Sequence, residues 1–295
     1  MAYTTIDNPE LYFQTKLYSG TGSAQSITLD GSENMTPDLT WIKSRSHTYS
    51  HVLRDSVRGA NSLSSNNGNA EYSSPTEITS FDANGFSLGT DSGVNNGSHT
   101  FVAWNWKESA TAGFDIISYT GNGTAGKTVA HNLSAVPDLI IIKNRSSATQ
   151  FVTWQSYMLN TNALYINLTN ALGTSQTYLN STTPTSSVIT LGGGNDENKN
   201  SDTHLIYAFK NVQGFSKAGT YVGNGNADGP YVHCGFRPSF LLGKNTGTAG
   251  NHWFMVDDAR SPFNGDSKWI KADATDAELT NLVNPDFLAN GFKIR

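Results

Sequence analysis

The feature that most restricts how this chain can fold is that it repeats itself. "LYSGTGSAQSITL" begins at Leu17, "SYTGNGTAGKTVA" at Ser118 and "TYVGNGNADGPYV" at Thr220, and their tyrosines Tyr18, Tyr119 and Tyr221 stand 101 and 102 residues apart. Further on come "PDLTWIKSRS" (Pro37 to Ser46), "PDLIIIKNRS" (Pro137 to Ser146) and, more weakly, "PSFLLGKNTG" (Pro238 to Gly247), which keep Lys43, Lys143 and Lys244 at spacings of 100 and 101. The endings "HTFVAWNWK" and "THLIYAFK" close at Lys107 and Lys210, 103 residues apart. Several markers in one order at one period predict tandem copies of a module of about a hundred residues, the commonest domain size. That period is far longer than a solenoid plate, so each copy is expected to carry its own core.

Within each copy the apolar residues come in short runs, "LTWIK", "LIIIK", "HVLRDSV", "QFVTWQSY" and "HWFMVDD", separated by Asn-Gly, Gly-Asn, Asp-Gly and Pro-Asp. Short β-rich runs between turn dipeptides predict antiparallel strands. The expected fold is all-β: three tandem antiparallel β-sandwich repeats of jelly-roll or concanavalin-like kind. The divisions are an N-terminal arm over 1–16 and repeats over 17–109, 110–213 and 214–295. Trp41, Trp104, Trp106, Tyr207 and Phe209 are assigned to inner-face core positions. Only "DATDAELTNLV" (Asp273 to Val283) reads as a helix, of two or three turns.

The third copy stops early. "SFDANGFSLGTD" (Ser80 to Asp91) and "DFLANGFKIR" (Asp286 to Arg295) share an Ala-Asn-Gly-Phe core, but Ala83 is followed by 24 residues to Lys107 whereas Ala289 is followed by six. The third repeat thus lacks its closing strand. Two expectations follow: the natural chain continues past Arg295, which is preferred, or another chain or segment supplies the strand.

Composition narrows the function classes. Charged residues make up 15 % of the chain and aromatics 11 %, a balance of ordered rather than disordered protein. The net charge is −5 and no Lys/Arg cluster could neutralise a run of phosphates, which argues against nucleic acid. There is no apolar run of membrane-spanning length and no basic-then-apolar leader. The single Cys234 excludes an internal disulfide and suits folding in a reducing cytoplasm. "ELYFQT" reads as native sequence.

These residues carry a resemblance. "YFQTKLYSGTGSAQSITLDGSENMTPDLTWIKSRS", "DSVRGANSLSSN" and "SFDANGFSLGTDSGVN" with "FVAWNWK" resemble a triple-repeat family of virion structural or tail-associated proteins of tailed bacteriophages. The resemblance runs through essentially the whole chain. It implies a concanavalin-like lectin sandwich, a virion location after assembly in the bacterial cytoplasm, and no catalytic residues. It also implies that members run on into a final strand.

Glycoside hydrolysis needs paired carboxylates across the sugar, and the seven glutamates (Glu10, Glu33, Glu71, Glu77, Glu108, Glu197 and Glu278) stand isolated in the sequence. Asp-x-x-Arg occurs at Asp55/Arg58 and Asp257/Arg260 but is Gln155/Met158 in the second copy, so it reads as a surface or rim ion pair. Cys234 beside His233 reads as a packed thiol, since neighbours on a strand face apart. "GNGTAGKT" (Gly121 to Thr128) lacks the spacing of a phosphate loop and reads as a Gly-Asn turn. Asn34, Asn122, Asn132 and Asn167 head Asn-x-Ser/Thr triplets that here are turn composition. The metal candidate is Asp196, Asn198, Asn200 and Asp202, oxygen side chains at alternate positions as in a calcium loop, though without an EF-hand's glycine and glutamate.

The expected function is therefore a non-enzymatic virion component, in a tail, tail fibre or baseplate appendage. Its expected partners are other virion proteins, copies of itself and host-surface glycan. A capsid decoration (cement or head-fibre) protein is the alternative in the same class, and a free carbohydrate-binding lectin the alternative in another. A depolymerase is disfavoured for want of carboxylates.

Overall fold

The computed structural model describes residues 4–174, 176–265, 268–280 and 285–295. It is all-β, 36 % strand and 5 % helix, and its strand pairs are antiparallel. The first segment contains β1 (Phe13–Ser19), β2 (Gln25–Thr28), β3 (Leu39–Ser44), β4 (Val52–Asp55), β5 (Asn61–Ser62), β6 (Tyr72–Ser73), β7 (Ile78–Asp82) and β8 (Gly85–Leu88). One helical turn, α1 (Ser92–Asn95), then leads to β9 (Thr100–Trp106). The second contains β10 (Phe114–Thr120), β11 (Lys127–Ala130), β12 (Leu139–Asn144), β13 (Val152–Gln155), β14 (Leu164–Tyr165), β15 (Val188–Leu191), α2 (Asn195–Asn198) and β16 (Thr203–Phe209). The third contains β17 (Tyr231–His233), β18 (Phe240–Gly243), β19 (Phe254–Asp257), β20 (Lys268–Lys271), β21 (Leu279–Thr280), β22 (Asp286–Leu288) and β23 (Gly291–Lys293).

The larger sheets run β1-β9-β3-β4, β10-β16-β12-β13-β14 and β18-β19-β20-β21; the smaller ones run β2-β8-β7, β11-β15 and β17-β23-β22, with β5-β6 a separate ribbon. β9 lies between β1 and β3, its Trp104 opposite Thr15 and Trp41. β16 lies likewise between β10 and β12, its Tyr207 opposite Ile116 and Ile141.

The central strands are buried on both faces, which is why "LIIIK" is a continuous apolar run rather than an alternating one. Alternation of side chains then divides each strand between two cores. Ile42, Phe101 and Ala103 face the smaller sheet of their own segment, against Ile27, Phe86 and Leu88. Ile140, Ile142, Ile206 and Ala208 do the same with Val129, Ile189 and Leu191. The opposite faces meet in one cluster that draws Leu39, Trp41, Val102 and Trp104 from the first segment, Ile116, Ile141, Leu205 and Tyr207 from the second, and Trp253, Met255 and Ile270 from the third. The expectation of a separate core for each segment thus captures only the smaller clusters. Trp41, Trp104 and Tyr207 are buried, with Trp106 and Phe209 packed against them, in the core common to all three.

The shared Ala-Asn-Gly-Phe motif has a steric cause. Gly85, at φ +116°, and Gly291 begin the return strands of their hairpins. A Cβ at either would lie 2.0 Å from the carbonyl oxygen of Ile27 or Val232 on the neighbouring strand.

The helix expected over Asp273 to Val283 does not form in its described part. Residues 273–274 are turn and bend, residues 275–278 have no regular structure and Leu279–Thr280 is β21; residues 281–283 lie outside the described residues. Tertiary partners override a two-turn propensity: Asp273 accepts hydrogen bonds from the Trp253 amide (3.0 Å) and His252 (2.9 Å), and Glu278 binds Arg45.

Candidate functional site

The two Asp-x-x-Arg motifs are not on the surface. Each is wholly buried, at 0 % exposure for all four side chains, with Nε to Oδ2 at 2.6 Å. They sit where two segments meet, a place that no reading of one module could locate. The Asp55 Oδ1 accepts from the amides of Val57 (3.1 Å) and Arg58 (3.0 Å), and Arg58 Nη2 donates to the Leu53 carbonyl (2.8 Å). The second segment completes the group: the Tyr207 hydroxyl donates to Asp55 Oδ2 (2.7 Å) and accepts from Arg58 Nη2 (3.1 Å). Burial holds that phenol well above its usual pKa, so it stays a donor.

The Asp257/Arg260 pair is built in the same way. Arg260 Nη2 donates to the Met255 carbonyl (3.0 Å) and the Arg260 amide to Asp257 Oδ1 (2.8 Å). Here Trp104 of the first segment supplies the ring. Its Nε1 donates to Asp257 Oδ2 (2.9 Å), and the Arg260 guanidinium lies 5.4 Å from the ring centroid, within cation–π range. Each of these buried charges has hydrogen-bonded partners, the condition under which burial is tolerable, although Arg58 Nη1 is buried without one.

Each charged junction is flanked by a second tie. The Glu71 amide donates to the Arg145 carbonyl and the Glu278 amide to the Arg45 carbonyl (both 2.8 Å), with bidentate Arg145–Glu71 and Arg45–Glu278 ion pairs alongside. Between the second and third segments the corresponding tie is the Leu172 amide donating to the Thr246 carbonyl (2.9 Å), and neither side chain is charged. Gln155 and Met158 stand there in place of Asp and Arg.

That uncharged junction borders a cleft of about 1600 Å³. β18 lines it through Phe240 and Leu242, the second segment through Gln155 and Met158, and residues 217–221 through Tyr221 among others. β18 is the terminal strand of its sheet, paired with β19 alone among the described residues. Residues 217–224, in step with β1 and β10, form no strand there; Tyr221 is 44 % and Val222 87 % exposed. The cleft was not predicted from sequence.

The four residues predicted to hold calcium are placed close in sequence but turned to different partners. Asn198 is buried: its Nδ2 donates to the carbonyls of Thr124 (2.9 Å) and Gly192 (2.8 Å), and its Oδ1 accepts from the Asn122 amide (2.9 Å). Asn95 in α1 makes the matching bonds to Ser23, Gly89 and Thr21. Both pin the Gly-rich turn after the first strand of their segment, which is what "GNGTAGKT" does. Asp196 accepts from the Gln150 amide (2.9 Å) and the Tyr178 hydroxyl (2.6 Å), and Asp202 from Asn144 (2.9 Å) and Ser147 (2.6 Å). Asn200 packs its Cβ near Gly123. Among the described residues no group of three His, Cys, Asp or Glu side chains is placed to hold a metal ion.

A family model covers residues 8–295, described as a domain of unknown function, DUF7483. The chain belongs to that family. No curated protein and no solved structure matches it. Among the described residues of this DUF7483 chain no helix is long and apolar enough to cross a membrane. Cys234 is half-buried, its Sγ 3.9 Å from the Val232 carbonyl, and burial pushes its thiol pKa up.

Proposed function

We propose that this DUF7483 chain is a non-enzymatic structural protein of a phage particle, part of a tail, tail fibre or baseplate appendage. On this reading it is built of three tandem concanavalin-like or jelly-roll repeats that close around a common core. The observation that carries the architectural reading is the pair of buried Asp–Arg junctions, each completed by an aromatic residue of another segment. Groups withdrawn so completely from solvent join parts of the chain to one another and face no open site. The phage assignment itself rests on the sequence resemblance.

One feature favours a subsidiary contact with host glycan. The rings of His47, Tyr49 and His99 gather at one end of the first segment, with centroids 4.2, 4.7 and 5.7 Å apart, and His47 is exposed. The positions one repeat later carry Ser147, Thr149 and Asp202, so the ring cluster is specific to the first segment. Exposed ring faces beside polar loops suit sugar stacking.

Immunogold electron microscopy of purified particles with antibody to this chain tests the assignment. Label along the tail or its fibres is the expected result. Label over the head would move the protein to capsid decoration. Unlabelled particles, with the protein only in the lysate, would overturn both and leave a free lectin.

A further inference from the structure

We propose that the His47, Tyr49 and His99 cluster recognises a hexuronate, a sugar with a carboxylate on its ring. It holds that sugar more tightly as its two imidazoles gain protons. The inference rests on the glycan contact proposed above and names the sugar class which that contact selects.

The loop is set before any ligand arrives. Buried Lys43 donates from Nζ to the carbonyls of Ser44 (2.9 Å) and His47 (3.0 Å), which fixes the backbone at the His47 ring. Ser46 Oγ accepts from the Thr100 amide (3.1 Å) and lies 3.1 Å from His99 Nδ1. Nε2 is therefore that ring's remaining polar atom. The Tyr49 hydroxyl accepts from Asn96 Nδ2 (3.4 Å) and keeps its own hydrogen to donate. A loop held in this way loses little freedom on binding.

The chemistry of the cluster is one-sided. Imidazole is the side chain that gains charge as pH falls from 8 to 5, and once charged it has only donors. Two such rings beside a phenol O–H offer donors alone, and a carboxylate offers acceptors alone. Two charged imidazoles with centroids 4.7 Å apart repel one another, and a shared anion offsets that repulsion.

The surrounding charges point the same way. Lys43, which burial lowers to about 8, and Arg45 stand on the same loop and its strand β3. The third segment brings Glu278, bound to Arg45, and Asp276, whose charge acts on Lys43 and which is bound to Lys271. Both carboxylates are thus already paired. Asn96, Gly97 and Ser98, between α1 and β9, carry no charge. In the second segment Asp202 stands in place of His99, accepting from Asn144 and Ser147, so the equivalent spot repels an anion.

A hexuronate carries its carboxylate on the sugar ring itself. One sugar face can lie on the exposed His47 ring while the carboxylate reaches His99 and Tyr49, whose centroids are 4.7 and 4.2 Å from that of His47.

The test titrates the full chain with trigalacturonate and with neutral maltotriose at pH 5.5 and pH 8.0, by calorimetry. Trigalacturonate should bind one-to-one at pH 5.5 and about tenfold more weakly at pH 8.0, the worth of giving one hydrogen bond a charge. Added salt should weaken it, and maltotriose should bind less tightly with no dependence on pH. His47→Ser and His99→Asp copy the second segment at sites outside the core, and each should lose the trigalacturonate preference, with circular dichroism confirming that the variants fold. Trigalacturonate bound no more tightly than maltotriose would overturn the proposal and leave a neutral glycan contact standing. Binding of neither sugar would overturn both. Full pH dependence surviving in His47→Ser would trace it to Lys43 and overturn the role given to the rings. Particle labelling is read independently, so the phage assignment can fail alone.

Discussion

The first and third segments are joined through a buried ion pair and the second and third are not, although the backbone ties at the two junctions match. At one, Asp257 and Arg260 meet Trp104; at the other, Gln155 and Met158 stand in their place, beside the cleft. The difference shows that the charged version is not needed for the segments to pack. Packing of the common core holds both. What the ion pair adds is a demand for a particular partner, since an Asp–Arg pair left without its ring or its carbonyl would be a costly orphan.

That comparison is broken most sharply by unpairing the charges. Arg260→Ala leaves Asp257 buried without its cation and should cost about 3–5 kcal/mol in urea unfolding. The double substitution Asp257→Gln with Arg260→Met copies the natural uncharged junction, and Gln can still accept from Trp104. It should cost no more than about 1 kcal/mol. A double variant as damaged as the single one would show that the ion pair itself stabilises the junction.

Two ionisable groups sharpen the comparison through pH, because each is matched by an apolar residue in another segment. His51, where the second segment has Phe151, accepts from Trp41 Nε1 on Nδ1 (2.8 Å) and so donates from Nε2 to the Lys271 carbonyl of the third segment (2.9 Å). Burial, assisted by the Lys43 charge, lowers its pKa to about 3 from an ordinary value of 6.5. The folded protein binds that proton less readily than the unfolded chain, so its contribution is complete above pH 6.5 and is lost as pH falls toward 3. Glu197, where the first segment has Val94, is raised by burial to about 7 from 4.5. Its contribution runs the other way, complete below pH 4.5 and lost as pH rises through 7. Thermal melts across this range should lose their acid limb in His51→Phe and their fall toward neutrality in Glu197→Gln.

The smallest effect belongs to the flanking ties, because Glu278 keeps Arg260 Nη1 at 3.4 Å when Arg45 is removed. Arg45→Ala should cost roughly 0.5–1 kcal/mol, with the difference from the parent shrinking at high salt. The equivalent contact to the third segment, Leu172 to Thr246, should show no salt dependence at all.

Much of the fold is legible in residue order. The strand at "LTWIK" and the hairpin at Ala-Asn-Gly-Phe are local, set by β-branched and aromatic runs and by a glycine that must lie against a neighbouring carbonyl. The Gly-Asn turn reading of "GNGTAGKT" also holds, because turn chemistry needs only a few adjacent residues. The errors share one origin. Asp55/Arg58 read as a rim pair because its ring partner, Tyr207, is 152 residues away. Asp273 to Glu278 read as helical because Trp253 and Arg45 are invisible from that stretch. For Asp196, Asn198, Asn200 and Asp202 the alternation is legible in sequence, but the partners that Asp196, Asn198 and Asp202 bind, Gln150, Thr124 and Asn144 among them, lie far along the chain.

What the sequence by itself determined is the all-β character and the strands at its short apolar runs, because backbone preference and side-chain alternation act within a few residues. What only the tertiary structure decided is which face of each sheet is covered. A strand such as "LIIIK" offers two apolar faces, and burial of the second depends on segments a hundred or more residues distant. The common core, the buried ion pairs and the cleft all follow from that second burial.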